Sequence, residues 1–459
     1  MYKAISPLLS GFLLLCCLGG GATAEPVQRP NFIVILTDDQ GYGDLGCYGS
    51  ERIKSPHLDK MAAEGIRFTD FYVVGSVCTP SRASLMTGSY PKRVGLEKVL
   101  FPDSVVKKSG GKGGELEKAG LNPSEITIAE ILKEKGYATA CVGKWHLGDD
   151  PKFMPNNQGF DEYFGLPYSN DMVPDQFPDL PLMRNSEVVE LNPDQDQLTR
   201  RYTEESIAFI RKHKDEPFFL YLPHSMPHRA VHASAEFTKR FTEKQMNSIK
   251  PGEDKASRDF LYPAAIEEID WSTGEILNTL RELGLEGNTL IVFTSDNGAK
   301  DGGGGSNRPL RGGKGSVFEG GNRVPGIMQW KGTIPTGTVS GEVACTMDLL
   351  PTFAAIVGAD LPADRVIDGK NILPLLEAEP GVKSPHESFF YTYGGMAVRS
   401  GKWKLVKGRQ SALYDLSKDI GERKNVAAQF PEVVQELDGQ IEEFVAKLES
   451  DLRPAGVPD

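Results

Sequence analysis

Four short apolar runs, each passing directly into residues able to do chemistry, constrain this chain more than any other feature. Phe32-Ile33-Val34-Ile35-Leu36 leads into Thr37-Asp38-Asp39, and Ala138-Thr139-Ala140-Cys141-Val142 into Gly143-Lys144-Trp145-His146. Phe218-Phe219-Leu220-Tyr221-Leu222 leads into Pro223-His224-Ser225-Met226-Pro227-His228, and Leu290-Ile291-Val292-Phe293-Thr294 into Ser295-Asp296-Asn297-Gly298. Five-residue runs without a polar face are the pattern of strands buried inside a parallel sheet. Such sheets bind ligands beyond the carboxyl ends of their strands, so the four tips are expected to converge on one site.

Helical segments are expected between the runs. Ser55 to Ala63 starts with a cap and a proline and stops at Gly65; Thr127 to Lys135 stops at Gly136; Pro263 to Leu283 carries Ile266, Ile269, Ile276, Leu280 and Leu283 and stops at Gly284. Alternating strand and helix predicts an α/β fold, a large, mostly parallel mixed sheet between helices. After about Ala378 the pattern shifts to short alternating segments within residues 388–416, then a helix from Pro431 to Leu448. This predicts a smaller antiparallel sheet with a terminal helix. The expected organisation is a signal peptide over 1–24, a catalytic domain over 25–378 and a C-terminal α+β subdomain over 379–459. Glycine-rich stretches at Ser109 to Gly114 and Gly302 to Gly305 read as loops.

The first 24 residues hold Lys3, an apolar stretch from Leu8 to Leu18 and Ala22-Thr23-Ala24, the layout of an export signal cleaved after Ala24. Lipid anchoring through Cys16 or Cys17 is the less favoured alternative, because neither follows the expected small residues. Export to the periplasm or beyond, with no membrane span, is therefore expected. Only Cys47, Cys78, Cys141 and Cys345 remain after cleavage, too few for a disulfide scaffold. A net charge of −12 argues against nucleic acid as the main partner. An anionic substrate must be met by local cations.

Cys78-Thr79-Pro80-Ser81-Arg82, continuing Ala83-Ser84-Leu85-Met86-Thr87-Gly88, places a nucleophile-grade residue at the mouth of a helix. Thr79 is the expected N-cap, with Pro80 in the first turn. Unpaired first-turn amides and Arg82 then make an anion site facing Cys78. Asp38 and Asp39 at one tip and Asp296 and Asn297 at another would repel unless a cation joins them, and all-oxygen ligands favour a hard one, Ca²⁺ or Mg²⁺. Lys144 and His146, two apart beyond a strand, share a face. Lys314 sits in Leu310-Arg311-Gly312-Gly313-Lys314-Gly315, where flanking glycines permit close backbone approach to a ligand, although the P-loop spacing is absent.

Together these motifs resemble the formylglycine-dependent sulfatases of the alkaline phosphatase-like superfamily, arylsulfatase A-like in detail, over Asn31 to about Asn425. The resemblance covers Cys78-x-Pro80-x-Arg82, Asp38-Asp39-Gln40-Gly41-Tyr42-Gly43-Asp44, Gly143 to Gly148, Thr294 to Gly298, Gly320 to Pro325 and Tyr414-Asp415-Leu416. It implies that Cys78 is oxidised to formylglycine (3-oxoalanine) by a maturation enzyme. It implies calcium bound by Asp38, Asp39, Asp296, Asn297 and the modified Cys78. It further implies Lys144, Lys314 and Arg82 as stabilisers of the sulfate, His146 as partner of the nucleophile, and Asp296 as assisting its deprotonation. His228 accompanies the leaving oxygen, and Ser169 and His224 are implied as substrate-binding. The expected reaction is hydrolysis of a sulfate monoester of a carbohydrate or other small molecule, with specificity in the rim loops Leu100 to Pro123 and Met172 to Leu198. Two rivals stay open: a phosphodiester or phosphonate monoester hydrolase sharing this site, and a binder of sulfated glycans in which Cys78 remains a thiol.

Overall fold

Every residue of strand β1 (Asn31–Thr37) is buried, and its period-two alternation divides the hydrophobic core. Phe32, Val34 and Leu36 join one cluster with residues of helices Cys78–Thr87, Ile128–Glu134 and Leu349–Val357. Ile33 and Ile35 join another with helices Pro56–Glu64, Leu198–Lys212 and Tyr262–Glu282. The computed structural model describes residues 1, 29–102, 119–174, 176–247 and 257–458. The expected signal segment, with Cys16 and Cys17, and the glycine-rich stretch at 109–114 lie outside the described residues.

The main sheet adds β2 (Ile66–Tyr72), β3 (Ala138–Val142), β4 (Glu162–Gly165), β5 (Pro181–Arg184), β6 (Glu187–Leu191), β7 (Phe218–Pro223), β8 (Thr289–Ser295), β9 (Arg323–Gln329), β10 (Thr338–Ser340) and β11 (Ala344–Cys345). Its order is β10-β2-β9-β8-β1-β7-β3-β4-β5-β6, with β11 also on β2. The central strands β8, β1, β7, β3 and β4 pair in parallel, whereas β9 runs against both β2 and β8. The four apolar runs are thus the adjacent strands β8-β1-β7-β3, and their polar tips share one edge. Segment 172–198, read as a rim loop, also includes the hairpin β5–β6, which extends the sheet edge. Its strands have too short and too exposed a pattern to signal burial.

The second sheet, β12 (Ser388–Tyr391), β13 (Ala397–Ser400), β14 (Trp403–Val406) and β15 (Ala412–Asp415), is an antiparallel meander. Helix Pro431–Glu449 covers it, with Leu437 and Ile441 packed on Val398, Leu405 and Leu413. Each such buried side chain contributes about 1.5–3 kcal/mol. A separate cluster of Tyr72, Val74, Tyr90, Phe389, Tyr391 and Leu448 joins this unit to the main body.

Candidate active site

Backbone hydrogen bonds stitch the strand tips together past the strand ends. The N–H groups of Asp38, Asp296 and Lys144 donate to the carbonyls of Met226, Thr37 and Pro223 at 3.2, 2.9 and 2.8 Å. Asp39 adopts φ of 65°, a left-handed conformation rare outside glycine, and its N–H donates to Asp296 Oδ1 at 3.2 Å. Such strain persists where surrounding structure over-determines it, commonly at functional sites.

Cys78 is the first residue of its helix, and the extended residue Val77 is the N-cap. This corrects the expectation that Thr79 caps the helix: the Ser81 N–H bonds the Val77 carbonyl at 3.1 Å. Thr79 Oγ1 instead donates to the His146 carbonyl at 3.1 Å and accepts from Leu100 N–H at 3.2 Å. Pro80 at the third helical position still costs no hydrogen bond, since first-turn amides lack intrahelical partners. The Cys78 thiol, 2 % exposed, donates to Asp38 Oδ1 at 3.5 Å and accepts from Lys314 Nζ at 3.4 Å. Burial, then the Asp38 charge, pushes the thiol up to about 12.

Arg82, wholly buried, donates through Nε and Nη2 to Asp296 Oδ2 at 3.0 and 2.9 Å and through Nη2 to Asp38 Oδ2 at 3.2 Å. Lys144 Nζ lies 2.5 Å from Asp38 Oδ2 and 3.1 Å from Ser169 Oγ. Lys314 Nζ lies 2.6 Å from Asp39 Oδ1. Burial alone would raise Asp38, but Lys144, His228, Arg82 and Lys314 outweigh it and hold the carboxyl well below the usual range. Asp296 moves the other way: burial and the Asp38 charge push it up to about 6 despite Arg82.

Asn297 Nδ2 donates to Asp39 Oδ1 at 2.7 Å, while its buried Oδ1 has no hydrogen-bond partner. Ligand atoms of Asp38, Asp39, Cys78 and His228 all lie within 4.8 Å of one another. An orphaned amide oxygen beside three carboxylates, one of them under-compensated, fits a hard divalent cation.

His228 lies with Nε2 3.8 Å from Asp39 Oδ2 and Nδ1 4.0 Å from Asp171 Oδ1. Burial, then Lys314, lowers it. His146 is tethered through Nε2 to the Leu100 carbonyl at 3.0 Å, and its Nδ1 is buried without a partner. Beside a carbonyl, Nε2 must carry the proton, which leaves Nδ1 an acceptor. His224, expected as substrate-binding, is wholly buried, neither ring nitrogen has a hydrogen-bond partner, and it is absent from the wall of the adjoining cavity.

A cavity of about 730 Å³ opens onto Asp39, His228 and Lys314, with Asn170, Phe177 and His232 in its walls. Two residues missed in the sequence buttress it. Asp44 accepts from Gly41 N–H, Ser306 N–H and Tyr262 Oη at 2.8, 2.9 and 2.7 Å, and Tyr262 Oη also reaches the Asp39 carbonyl at 3.1 Å. Asp44 stood inside the first tip motif, whereas Tyr262 had no local signal. Elsewhere Cys345, Asp348 and His386 form a second group, but the Asp348 carboxylate already serves Cys345 N–H, Lys370 N–H and His386 Nε2, each at 2.8 Å. The four described cysteines are free. No helix among the described residues is long and apolar enough to cross a membrane.

A mostly parallel sheet whose tips gather carboxylates, cationic side chains and a cysteine that opens a helix defines an alkaline phosphatase-like hydrolase of oxyanion esters. The chain belongs to the sulfatase family, whose Sulfatase profile matches residues 30–359; a second profile, N-sulphoglucosamine sulphohydrolase, C-terminal, matches residues 313–447. It is a sulfuric ester hydrolase. Among its relatives is arylsulfatase A of Homo sapiens, 36% identical over 502 residues covering 95% of this chain and 91% of that protein. N-acetylgalactosamine-6-sulfatase of Sus scrofa is 37% identical over 424 residues, 85% of this chain and 74% of that one. The crystal structure of PsFucS1 sulfatase from Pseudoalteromonas sp. superposes with a TM-score of 0.80 at 27% identity, covering 93% of this chain and 92% of that one.

Proposed function

We propose that this chain is an exported sulfatase that hydrolyses a sulfate monoester of a carbohydrate, with formylglycine at position 78 and calcium in the carboxylate cluster. The observation that carries the reading is the seat of Cys78, at a helix N-terminus with Sγ 3.5 Å from Asp38 and 3.4 Å from Lys314, beside an open cavity. The carbohydrate preference is supported by the N-acetylgalactosamine-6-sulfatase relative. The catalytic domain covers 25–378 and the C-terminal subdomain 379–459, a division supported by the two separate sheets.

Formylglycine would supply a hydrated aldehyde, one hydroxyl for attack on sulfur and a second for release of sulfate. Calcium, held by Asp38, Asp39, Asp296, Asn297 and the group at 78, would supply Lewis-acid stabilisation of negative charge. Lys144 and Lys314 stabilise the sulfuryl oxygens, and Arg82 holds Asp38 and Asp296 in place while adding positive charge. Asp296, held by Arg82, assists removal of the proton from the attacking hydroxyl. His228 protonates the departing alcohol, and His146 Nδ1 accepts the proton lost as sulfate leaves. Ser169 fixes the Lys144 ammonium.

Peptide mass analysis of position 78, combined with rates on an aryl sulfate, a sulfated sugar and an aryl phosphodiester, tests the reading. Aldehyde at 78 with sulfate turnover is expected. A retained thiol sinks the formylglycine assignment, and faster phosphodiester cleavage transfers the protein to the rival hydrolase class.

A further inference from the structure

Lys314 is delivered to the site by a loop, residues 311–318, that runs into the short helix Glu319–Asn322 ahead of β9, and the C-terminal subdomain grips that loop at both ends. Lys404, on β14 and wholly buried, places its ammonium 3.0 Å from the Val317 carbonyl, 2.9 Å from Glu319 Oε1 and 2.9 Å from Glu422 Oε1. The ammonium thus hydrogen-bonds Val317 and Glu319 and forms an ion pair with Glu422. Glu422, also wholly buried, accepts from Glu319 N–H through Oε2 at 2.8 Å, and its own carbonyl accepts from Arg311 at 2.8 Å. One residue therefore ties down both the start and the end of the loop. Between them Gly394 passes so near that a Cβ on it would come within 2.3 Å of the Gly315 carbonyl oxygen. On the other side the loop is bonded to the catalytic body: Lys314 N–H to Ala299 at 3.2 Å and Gly315 N–H to Ser76 at 2.8 Å.

We infer that the C-terminal subdomain is part of the catalytic apparatus, with Lys404 and Glu422 as positioning residues that set the Lys314 ammonium against Asp39 and Cys78. The inference rests on Lys314 acting on the sulfate as described above. A buried ion pair is a poor source of net stability, because desolvation offsets most of its attraction, and geometric specification is the better-attested use of such groups. Here the geometry specified is that of a loop whose glycines at 312, 313 and 315 leave its own backbone weakly restrained. Neither Lys404 nor Glu422 lines the cavity, so both act through the loop.

A double-mutant cycle in the full-length, calcium-loaded enzyme tests this, with conversion of position 78 verified in every variant. Lys404→Met should lower kcat/KM by ~10- to 10²-fold, chiefly in kcat, the scale of misplacing a charge by about 1 Å. Introduced into Lys314→Ala, the same substitution should cost less than about twofold, the limit within which non-additivity is resolved. Lys404→Arg should recover part of the rate. A merely structural defect would lower the rate by the same factor in both backgrounds, and that additive outcome, with Lys314→Ala itself impaired, overturns the inference alone. Near-wild-type rates for Lys404→Met overturn it as well. Wild-type activity in Lys314→Ala removes both this inference and the role given to Lys314. Should Lys404→Met fail to fold, Glu422→Gln in the same cycle decides the question, since it loosens the same loop while the Lys404 ammonium keeps its pairing with Glu319.

Discussion

Lys314 Nζ stands 3.4 Å from Cys78 Sγ, across 236 residues of sequence, and at the same time 2.6 Å from Asp39 Oδ1. A cation so close would ordinarily favour a thiolate, yet burial and Asp38 hold the Cys78 thiol neutral, up to about 12. A protonated thiol is a weak nucleophile. The proposed formylglycine would supply an oxygen nucleophile at this position instead.

Cys78→Ser, verified to carry unoxidised serine, is expected to react once and stall as a sulfated serine. Serine offers one hydroxyl, and expulsion of sulfate by carbon–oxygen cleavage needs a second on the same carbon. Stoichiometric alcohol release and a sulfate adduct at 78 by mass analysis are the expected readouts; sustained turnover contradicts the mechanism.

Lys314→Ala and Lys144→Ala should each lower kcat/KM by ~10²-fold or more, the scale of one preorganised charge contact. Their stabilities should differ. Lys144 is wholly buried against Asp38, so its loss leaves that carboxylate with Arg82 as its remaining ion-pair partner and should lower folding stability more than loss of Lys314, which sits at the cavity wall. Steady-state kinetics and denaturant unfolding on the same samples check both parts.

Chelation should abolish turnover while leaving the protein folded, and added calcium should raise Tm by mass action. Asn297→Ala, which deletes the orphaned Oδ1, should weaken calcium binding by ~10-fold or more. Calcium titrations followed by Tm, independent of turnover, provide the measurement. An unchanged calcium response in Asn297→Ala removes that residue from the metal site.

His224 supplies a pH prediction. Burial lowers it from 6.5 to about 3, so between those values the unfolded chain binds a proton that the native chain refuses. Its stability contribution is intact above pH 6.5 and is lost as pH falls toward 3, with a slope approaching about 1.4 kcal/mol per pH unit. His224→Leu removes this liability. The stability of the variant relative to the original protein, from denaturant unfolding at a series of pH values, should rise as pH is lowered through that window, and a pH-independent difference would contradict the assignment.

The four central strands with their chemistry-bearing tips and the C-terminal meander with its helix were legible because each rests on local pattern: unbroken apolar runs, glycine stops, and alternation on a half-covered sheet. The short strands β4, β5, β6, β10 and β11 were not, because their burial is set by neighbours far away in sequence rather than by their own periodicity. The helix cap shows the same limit at small scale. Composition favoured Thr79, but Val77 takes the position because the chain arrives there already extended, and the Thr79 hydroxyl is claimed by His146 and Leu100.

Residue identity by itself determined the chemistry available to this protein: which side chains can ligate, donate or accept, and which carry a thiol, since those properties travel with the side chain wherever it is placed. Tertiary structure alone decided which of them meet. It put His228 in the cavity wall, brought Asp44 and Tyr262 behind Asp39, and laid Lys404 and Glu422 of the C-terminal subdomain against the loop that carries Lys314. Contacts between residues so far apart in sequence depend on sheet order and register, which no local window of the chain encodes.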